Sequence, residues 1–141
     1  MPELDELLQL LFDRDGSDLH LHIGQPPTLR IHGALTRTEF DALSSEDAER
    51  LTLPLLSDTQ RREFDTQGAV QTAHVTDTAR FRVTIFRQQD DIGAVFRLIP
   101  LAIRSLADLG LPTAARDLCL RPHGLLLVGG PRGSGKSTTL A

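Results

Sequence analysis

The stretch GLLLVGGPRGSGKSTTLA, residues 124–141, sets the first constraint on the fold. It opens with a continuous apolar run, GLLLVGG, which is typical of a strand covered on both faces in a parallel sheet. Residues 130–137 then match the pattern G-x-x-x-x-G-K-[ST], and the following STTLA favours a helix. Because this pattern binds phosphate where it joins a strand to a helix, the segment predicts a phosphate-binding loop.

Each residue type in this loop has a defined chemical role. Gly133 and Gly135 allow the backbone to turn successive N–H groups toward one point. Lys136, the only lysine among 15 basic residues, would neutralise β- and γ-phosphate oxygens, and Ser137 would offer a hydroxyl to Mg²⁺. We therefore predict ATP and Mg²⁺ as cofactors, with Lys136 as the catalytic residue. The predicted nucleotide contacts are Gly130, Pro131, Arg132, Gly133, Ser134, Gly135, Lys136, Ser137 and Thr138.

The segment before this loop predicts an α+β domain over residues 1–99. Leucines at helical spacing indicate a first helix near residues 3–13, and SSEDAERLTLPLLS and DTQRREF favour two more. SDLHLHIG, TLRIHG, ALTRTEF, AVQTAHV, ARFRVTIFRQ and IGAVFRLIP have the alternation or composition of strands. Since there is no regular βαβ order, these strands predict an antiparallel sheet. Residues 100–122, punctuated by Gly110, Pro112 and Pro122, predict a linker with one or two short helices, and a second domain starts at 123.

Composition and charge exclude several classes of function. The net charge of −4 gives no general basic field, so we expect no nucleic-acid partner. No run approaches the roughly 20 apolar residues of a membrane span, and the N-terminus is acidic where a signal peptide is basic. A single cysteine, Cys119, excludes an internal disulfide. These features predict a cytoplasmic protein without direct membrane insertion.

His20 and His22, with Asp18 beside them, have a spacing that can hold a metal ion on one strand face. A zinc site needs a third or fourth ligand at fixed geometry, and the sequence offers none nearby. The three residues are therefore interpreted as polar groups on the outer face of the sheet.

The last helix would have only about one and a half turns before residue 141, and one parallel strand cannot form a sheet. We therefore expect the chain to be part of a longer ATPase whose acidic Mg²⁺-supporting residue and water-activating group lie elsewhere. By itself, the chain is expected to bind nucleotide weakly and to hydrolyse none.

Five motifs carry a resemblance to one family. In chain order they are GSDLHLHIGQPPTLRIHGAL, ARFRVTIFRQ, VFRLIP, LADLGLP and GLLLVGGPRGSGKSTTLA. Together they resemble the twitching-motility ATPases of type IV pili, the PilT-like branch of the secretion-ATPase superfamily. The likeness covers nearly the whole chain and is much more specific than the loop alone.

The resemblance implies a fold, an assembly and a function. Residues 1–99 would be a PAS-like domain, and residues 123–141 the start of a RecA-like ATPase domain. The protein would be a cytoplasmic homohexamer at the inner-membrane base of the pilus, contacting a platform protein there and powering retraction by ATP hydrolysis. In this family, arginines of the N-terminal domain reach the nucleotide, and Arg82 and Arg97 match them; the alternative is that both are solvated charges.

Two departures and two alternatives stay open at this point. Arg132 stands where the family ordinarily has threonine, and QGAVQTAHV lacks the acidic and aromatic pattern of the matching family strand. Nucleotide binding is expected to survive the first change, because that loop position is variable. A pilus-extension or type II secretion ATPase is the alternative enzyme. A non-catalytic PAS-like interaction module, in which the loop is vestigial, is the alternative from another class.

Overall fold

The computed structural model describes residues 2–88, 91–100, 105–131 and 134–140, and it divides the chain into two compact units, 1–101 and 102–141. The first unit contains helices α1 (Leu4–Asp13), α2 (Ser45–Thr52) and α3 (Asp58–Gln67). Its strands are β1 (Gly16–Leu21), β2 (Thr28–Ile31), β3 (Ala34–Arg37), β4 (Ala69–Val75), β5 (Arg80–Gln88) and β6 (Asp91–Ile99). The second unit contains helices α4 (Thr113–Cys119) and α5 (Lys136–Leu140).

The six strands form one sheet in the order β3-β2-β1-β6-β5-β4, and every pairing in it is antiparallel. The prediction of an α+β fold with an antiparallel sheet is therefore confirmed. Strand β6 lies next to β1 and β5, so two segments far apart in sequence meet at the middle of the sheet.

One face of the sheet forms the hydrophobic core. Helix α1 packs against β1, α2 against β6 and α3 against β4. Period-two alternation places Leu19, Val83 and Phe96 side by side on this face, and each is fully buried. The leucine stripe of α1 packs into the same core, as its helical spacing predicts. The opposite face carries polar and charged side chains together with the half-buried Phe86, Val95 and Ile99, and it is called the open face below.

The starts of α2 and α3 follow from side-chain chemistry. The hydroxyl of Ser44 accepts a hydrogen bond from the Asp47 backbone N–H, and the Asp47 carboxylate accepts one from the Ser44 N–H. Ser57 and Gln60 form the same reciprocal cap on α3. As expected for a proline, Pro54 lies just beyond the end of α2, in a single 3₁₀ turn.

The predicted strand over residues 124–130 is not formed, and this prediction is wrong for the described residues. A strand exists by hydrogen bonding to a neighbouring strand, and the described part of the second unit contains none. The side chains expected to be buried on both faces are exposed instead, with Leu125 84% and Leu127 81% accessible. Apolar composition gives a segment the tendency to form a strand, but a partner strand decides whether one forms.

No helix in the described ranges combines the length and the apolar character needed to cross a bilayer.

Candidate functional site

The predicted phosphate-binding loop lies in the second unit, directly before α5. The Lys136 side chain folds back over this loop, and its Nζ donates hydrogen bonds to the carbonyl oxygens of Gly130 at 2.8 Å and Pro131 at 2.6 Å. Gly135 has a φ of +87°, a left-handed conformation that a glycine adopts without strain. The ammonium group therefore lies close to the loop backbone, at the start of the helix.

Because Gly130 has no side chain, the side chain of Ser134 can lie close to the loop backbone. A Cβ added at Gly130 would lie 2.6 Å from the Oγ of Ser134, so a larger residue would displace that side chain. Ser137 and Thr138 lie exposed in the first turn of α5. Arg132 and Gly133, two of the predicted nucleotide contacts, lie outside the described residues.

The two arginine candidates of the first unit lie directly opposite each other on neighbouring strands. Arg82 of β5 is in register with Arg97 of β6, and both side chains project from the open face. Directly opposed residues in an antiparallel pair have Cβ atoms about 5 Å apart, so like charges there repel. Arg82 makes no side-chain hydrogen bond or ion pair with any described residue, whereas Arg97 has a partner in Asp18.

The sequence analysis considered Asp18 only beside His20 and His22, and it did not predict the contact of Asp18 with Arg97. The prediction of an outward-facing polar group is correct in direction but wrong in exposure, because only 3% of the Asp18 surface is accessible. Its carboxylate accepts a hydrogen bond from the Nε of Arg97 at 2.8 Å and one from the hydroxyl of Ser17 at 2.7 Å. The Nε of Arg30 lies 3.5 Å away on the other side.

These contacts form a charged row across four strands, made of Arg30 on β2, Asp18 on β1, Arg97 on β6 and Arg82 on β5. Adjacent members are cross-strand neighbours in register. We name this set the arginine row. It places three guanidinium groups against one carboxylate, so the open face carries local positive charge although the chain as a whole is acidic.

A shallow cavity of about 400 Å³ lies beside the end of this row and is lined in part by Arg80, Arg82 and Gln71. Two cationic side chains at the border of a concave surface suit an anionic ligand better than a neutral one.

The titration of Asp18 follows from its surroundings. Burial raises the pKa of the carboxyl, but the hydrogen bonds from Arg97 and Ser17 and the positive charge nearby outweigh it, so the pKa lies below its usual value of 3.8. Asp18 is therefore ionised at neutral pH and can hold a guanidinium group in a charge-assisted hydrogen bond.

His20 and His22 stack on each other beside this row, with ring centroids 6.4 Å apart. No group of three or more potential metal ligands occurs in the part of the chain that the structure describes. Burial first, and the charge of Arg30 second, lower the pKa of His20 below 6.5, and its Nε2 has no hydrogen-bond partner among the described residues. His20 is therefore a partly buried neutral ring at neutral pH.

These two depressed pKa values predict that acid destabilises the first unit in two steps. Each group has a lower pKa when folded than when unfolded, so the unfolded chain binds more protons and the free energy of unfolding rises with pH. The contribution of His20 is complete above pH 6.5 and is lost as the pH falls below it; that of Asp18 is complete above 3.8 and is lost below it. Urea denaturation between pH 8 and pH 3 measures both steps.

Two variants assign the steps. His20→Gln should flatten the upper part of the curve. Asp18→Asn should flatten the lower part only in part, because the hydrogen bonds of Ser44 also lower the pKa of Asp47 below 3.8. A wild-type chain that becomes more stable between pH 7 and pH 5 would contradict the placement of His20.

Comparison with known proteins gives relatives over almost the entire chain. It is 38% identical over 140 residues to the type IV pilus retraction ATPase PilT of Pseudomonas aeruginosa. This alignment covers 99% of this chain and 41% of PilT. It is 34% identical to the type IV pilus ATPase PilU of the same organism, covering 99% of this chain and 37% of the relative. No family model matches the chain.

A solved structure agrees with these relatives. The crystal structure of the pilus retraction motor PilT with bound ADP superimposes with a TM-score of 0.80 at 35% identity, over 99% of this chain and 41% of that one. In sequence and in fold, the chain is therefore similar to the pilus ATPases PilT and PilU. It spans about two fifths of the length of these curated relatives.

Proposed function

We propose that this chain forms the N-terminal domain and the nucleotide-binding loop of a motor ATPase that powers type IV pilus retraction and twitching motility. The support is the match over 99% of the chain to two relatives that are named as pilus ATPases. It is strengthened by the residues of the loop, which include the single lysine of the chain beside backbone carbonyls and exposed hydroxyls.

In this proposal, residues 1–99 are a PAS-like domain, residues 100–122 a linker, and residues 123–141 the start of a RecA-like ATPase domain. Lys136 holds the β- and γ-phosphates of ATP, and the remaining loop residues contact the nucleotide through their backbone N–H groups. Ser137 is the candidate ligand for Mg²⁺, because its hydroxyl is exposed in the first turn of α5. A bound Mg²⁺ would neutralise charge on the phosphates.

Arg82 and Arg97 are proposed to reach a phosphate group from the first unit. The observation in favour is their placement: both are exposed, both project from the open face, and they oppose each other across β5 and β6. Two like charges held together in this way are relieved when an anion binds between or above them.

The assembly follows from the family likeness rather than from this chain alone. We propose a homohexamer that works in the cytoplasm at the inner-membrane base of the pilus and contacts a platform protein there. A nucleic-acid partner is not proposed, since the net charge is −4.

Two measurements test the proposal. Calorimetry on the full-length protein should show Mg·ATP binding, and the absence of any affinity would favour a non-catalytic module. Deletion of the gene then separates the two pilus functions. Cells that keep surface pili but lose twitching indicate a retraction motor, whereas cells that lose the pili indicate an extension motor and contradict the proposal.

A further inference from the structure

Asp18 stands out on the open face because it is almost fully buried between charged side chains. A carboxylate removed from water is costly unless it is paired and hydrogen-bonded. Asp18 meets that condition through strands on both sides, with Arg97 of β6 on one oxygen and Ser17 and Arg30 near the other. Its position is fixed by the sheet itself, since β1 lies between β2 and β6.

The contact with Arg97 uses one particular edge of the guanidinium group. Asp18 takes the Nε–H, at 2.8 Å, and the two terminal nitrogens make no hydrogen bond to any described residue. The Arg97 side chain is 60% exposed although its partner is only 4% exposed. A guanidinium group is planar, so fixing its Nε fixes the direction of the remaining donors.

One arginine is enough to balance the charge of Asp18, but two lie beside it, Arg30 and Arg97. Arg30 is close to the same carboxylate and also donates to the carbonyl of Gly33, at 3.1 Å. Arg97 adds a second positive charge, and Arg82 opposite it adds a third without an acidic partner in the described ranges. The guanidinium groups of Arg97 and Arg82 therefore lie on the open face, where their donors are available to an anion.

We propose that Asp18 is a positioning residue for Arg97. It holds the guanidinium group by its Nε, so that the terminal donors are presented in a fixed direction to a phosphate group. This inference rests on the proposed function, in which Arg97 meets the phosphate of a nucleotide, and it adds a residue that itself touches no ligand.

A double-mutant cycle in the full-length protein tests the inference, with ATP hydrolysis as the readout. Asp18→Asn keeps the shape of the side chain but removes its charge, and it should lower kcat/KM about tenfold. Arg97→Gln should lower it further. If Asp18 acts through Arg97, the double variant should be no worse than Arg97→Gln alone, whereas two independent defects would multiply.

Arg97→Lys provides a second variant at an exposed position that should fold normally. A lysine has one compact ammonium group, which can pair with Asp18 or with a phosphate. It cannot do both, as a guanidinium can with its Nε–H on Asp18 and its terminal nitrogens on a phosphate. This variant should therefore lose nearly as much activity as Arg97→Gln. Asp65→Asn is the matched control, because Asp65 and Arg87 form an exposed pair at 3.9 Å elsewhere in the domain. It should stay within about twofold of wild type.

The 141-residue chain offers a direct view of the contact by NMR. The Nε–H resonance of Arg97 should be protected from exchange with water in the wild type and should lose that protection in Asp18→Asn. An unprotected wild-type resonance overturns the inference, as does full activity in Arg97→Lys or a multiplicative double variant. If the inference on Asp18 fails in one of these ways but the wild-type protein hydrolyses ATP, the proposed function stands. A wild-type protein without ATPase activity overturns both the inference and the proposed function.

Discussion

Lys136→Ala in the full-length protein is expected to reduce ATP turnover by at least about a hundredfold. The ammonium group is the single positive charge in the described part of the loop, and it lies within 2.8 Å of the Gly130 carbonyl, where the loop closes. Without it, the β- and γ-phosphates would lose the one positive charge that the described part of the loop supplies. Steady-state hydrolysis of Mg·ATP, measured together with the oligomeric state, checks this result.

The control for this prediction lies in the same loop. Ser134→Ala removes a hydroxyl next to Gly130 but keeps the backbone N–H through which Ser134 is proposed to contact the nucleotide, so it should leave most of the turnover intact. Equal rates for Lys136→Ala and the wild type would end the assignment of this loop to the nucleotide.

Phe96→Ala is expected to lower the free energy of unfolding by about 3–5 kcal/mol. The ring is fully buried in β6, with Leu19 of β1 and Val83 of β5 as its cross-strand neighbours, so its loss leaves a cavity in the middle of the sheet. Small domains are stable by only about 5–15 kcal/mol, so this loss is a large fraction of the total stability. Urea denaturation followed by circular dichroism measures the change.

Phe12→Ala is the matched control, since Phe12 is 42% exposed at the end of α1. The loss there should stay within about 1 kcal/mol. Similar losses for the two variants would contradict the position of Phe96 in the core.

Much of the first unit could be predicted from sequence periodicity. Alternation in ARFRVTIFRQ fixes which side chains of β5 face the core, and the spacing of serine and aspartate predicts the start of α2. These features are local, because each depends on residues only a few positions apart. The structure agrees with them at nearly every element of the sheet.

The arginine row could not be predicted in the same way. Asp18 and Arg97 are 79 positions apart, and their contact depends on β1 and β6 being neighbours in a particular register. A single sequence does not contain that pairing. The same limit explains why the strand predicted for residues 124–130 is not formed. The segment has the apolar composition of a buried strand, but the described part of the second unit contains no partner strand for it.

Phe96 and Arg97 are consecutive residues of β6, one in the core and the other on the open face. A slip of this strand by a single residue would exchange their environments, driving a guanidinium into the hydrophobic interior and a phenyl ring into water. Burial of Phe96 in the core therefore also fixes the register of β6 and places Arg97 on the open face. The stability of the fold and the placement of the arginine row depend on the same strand register.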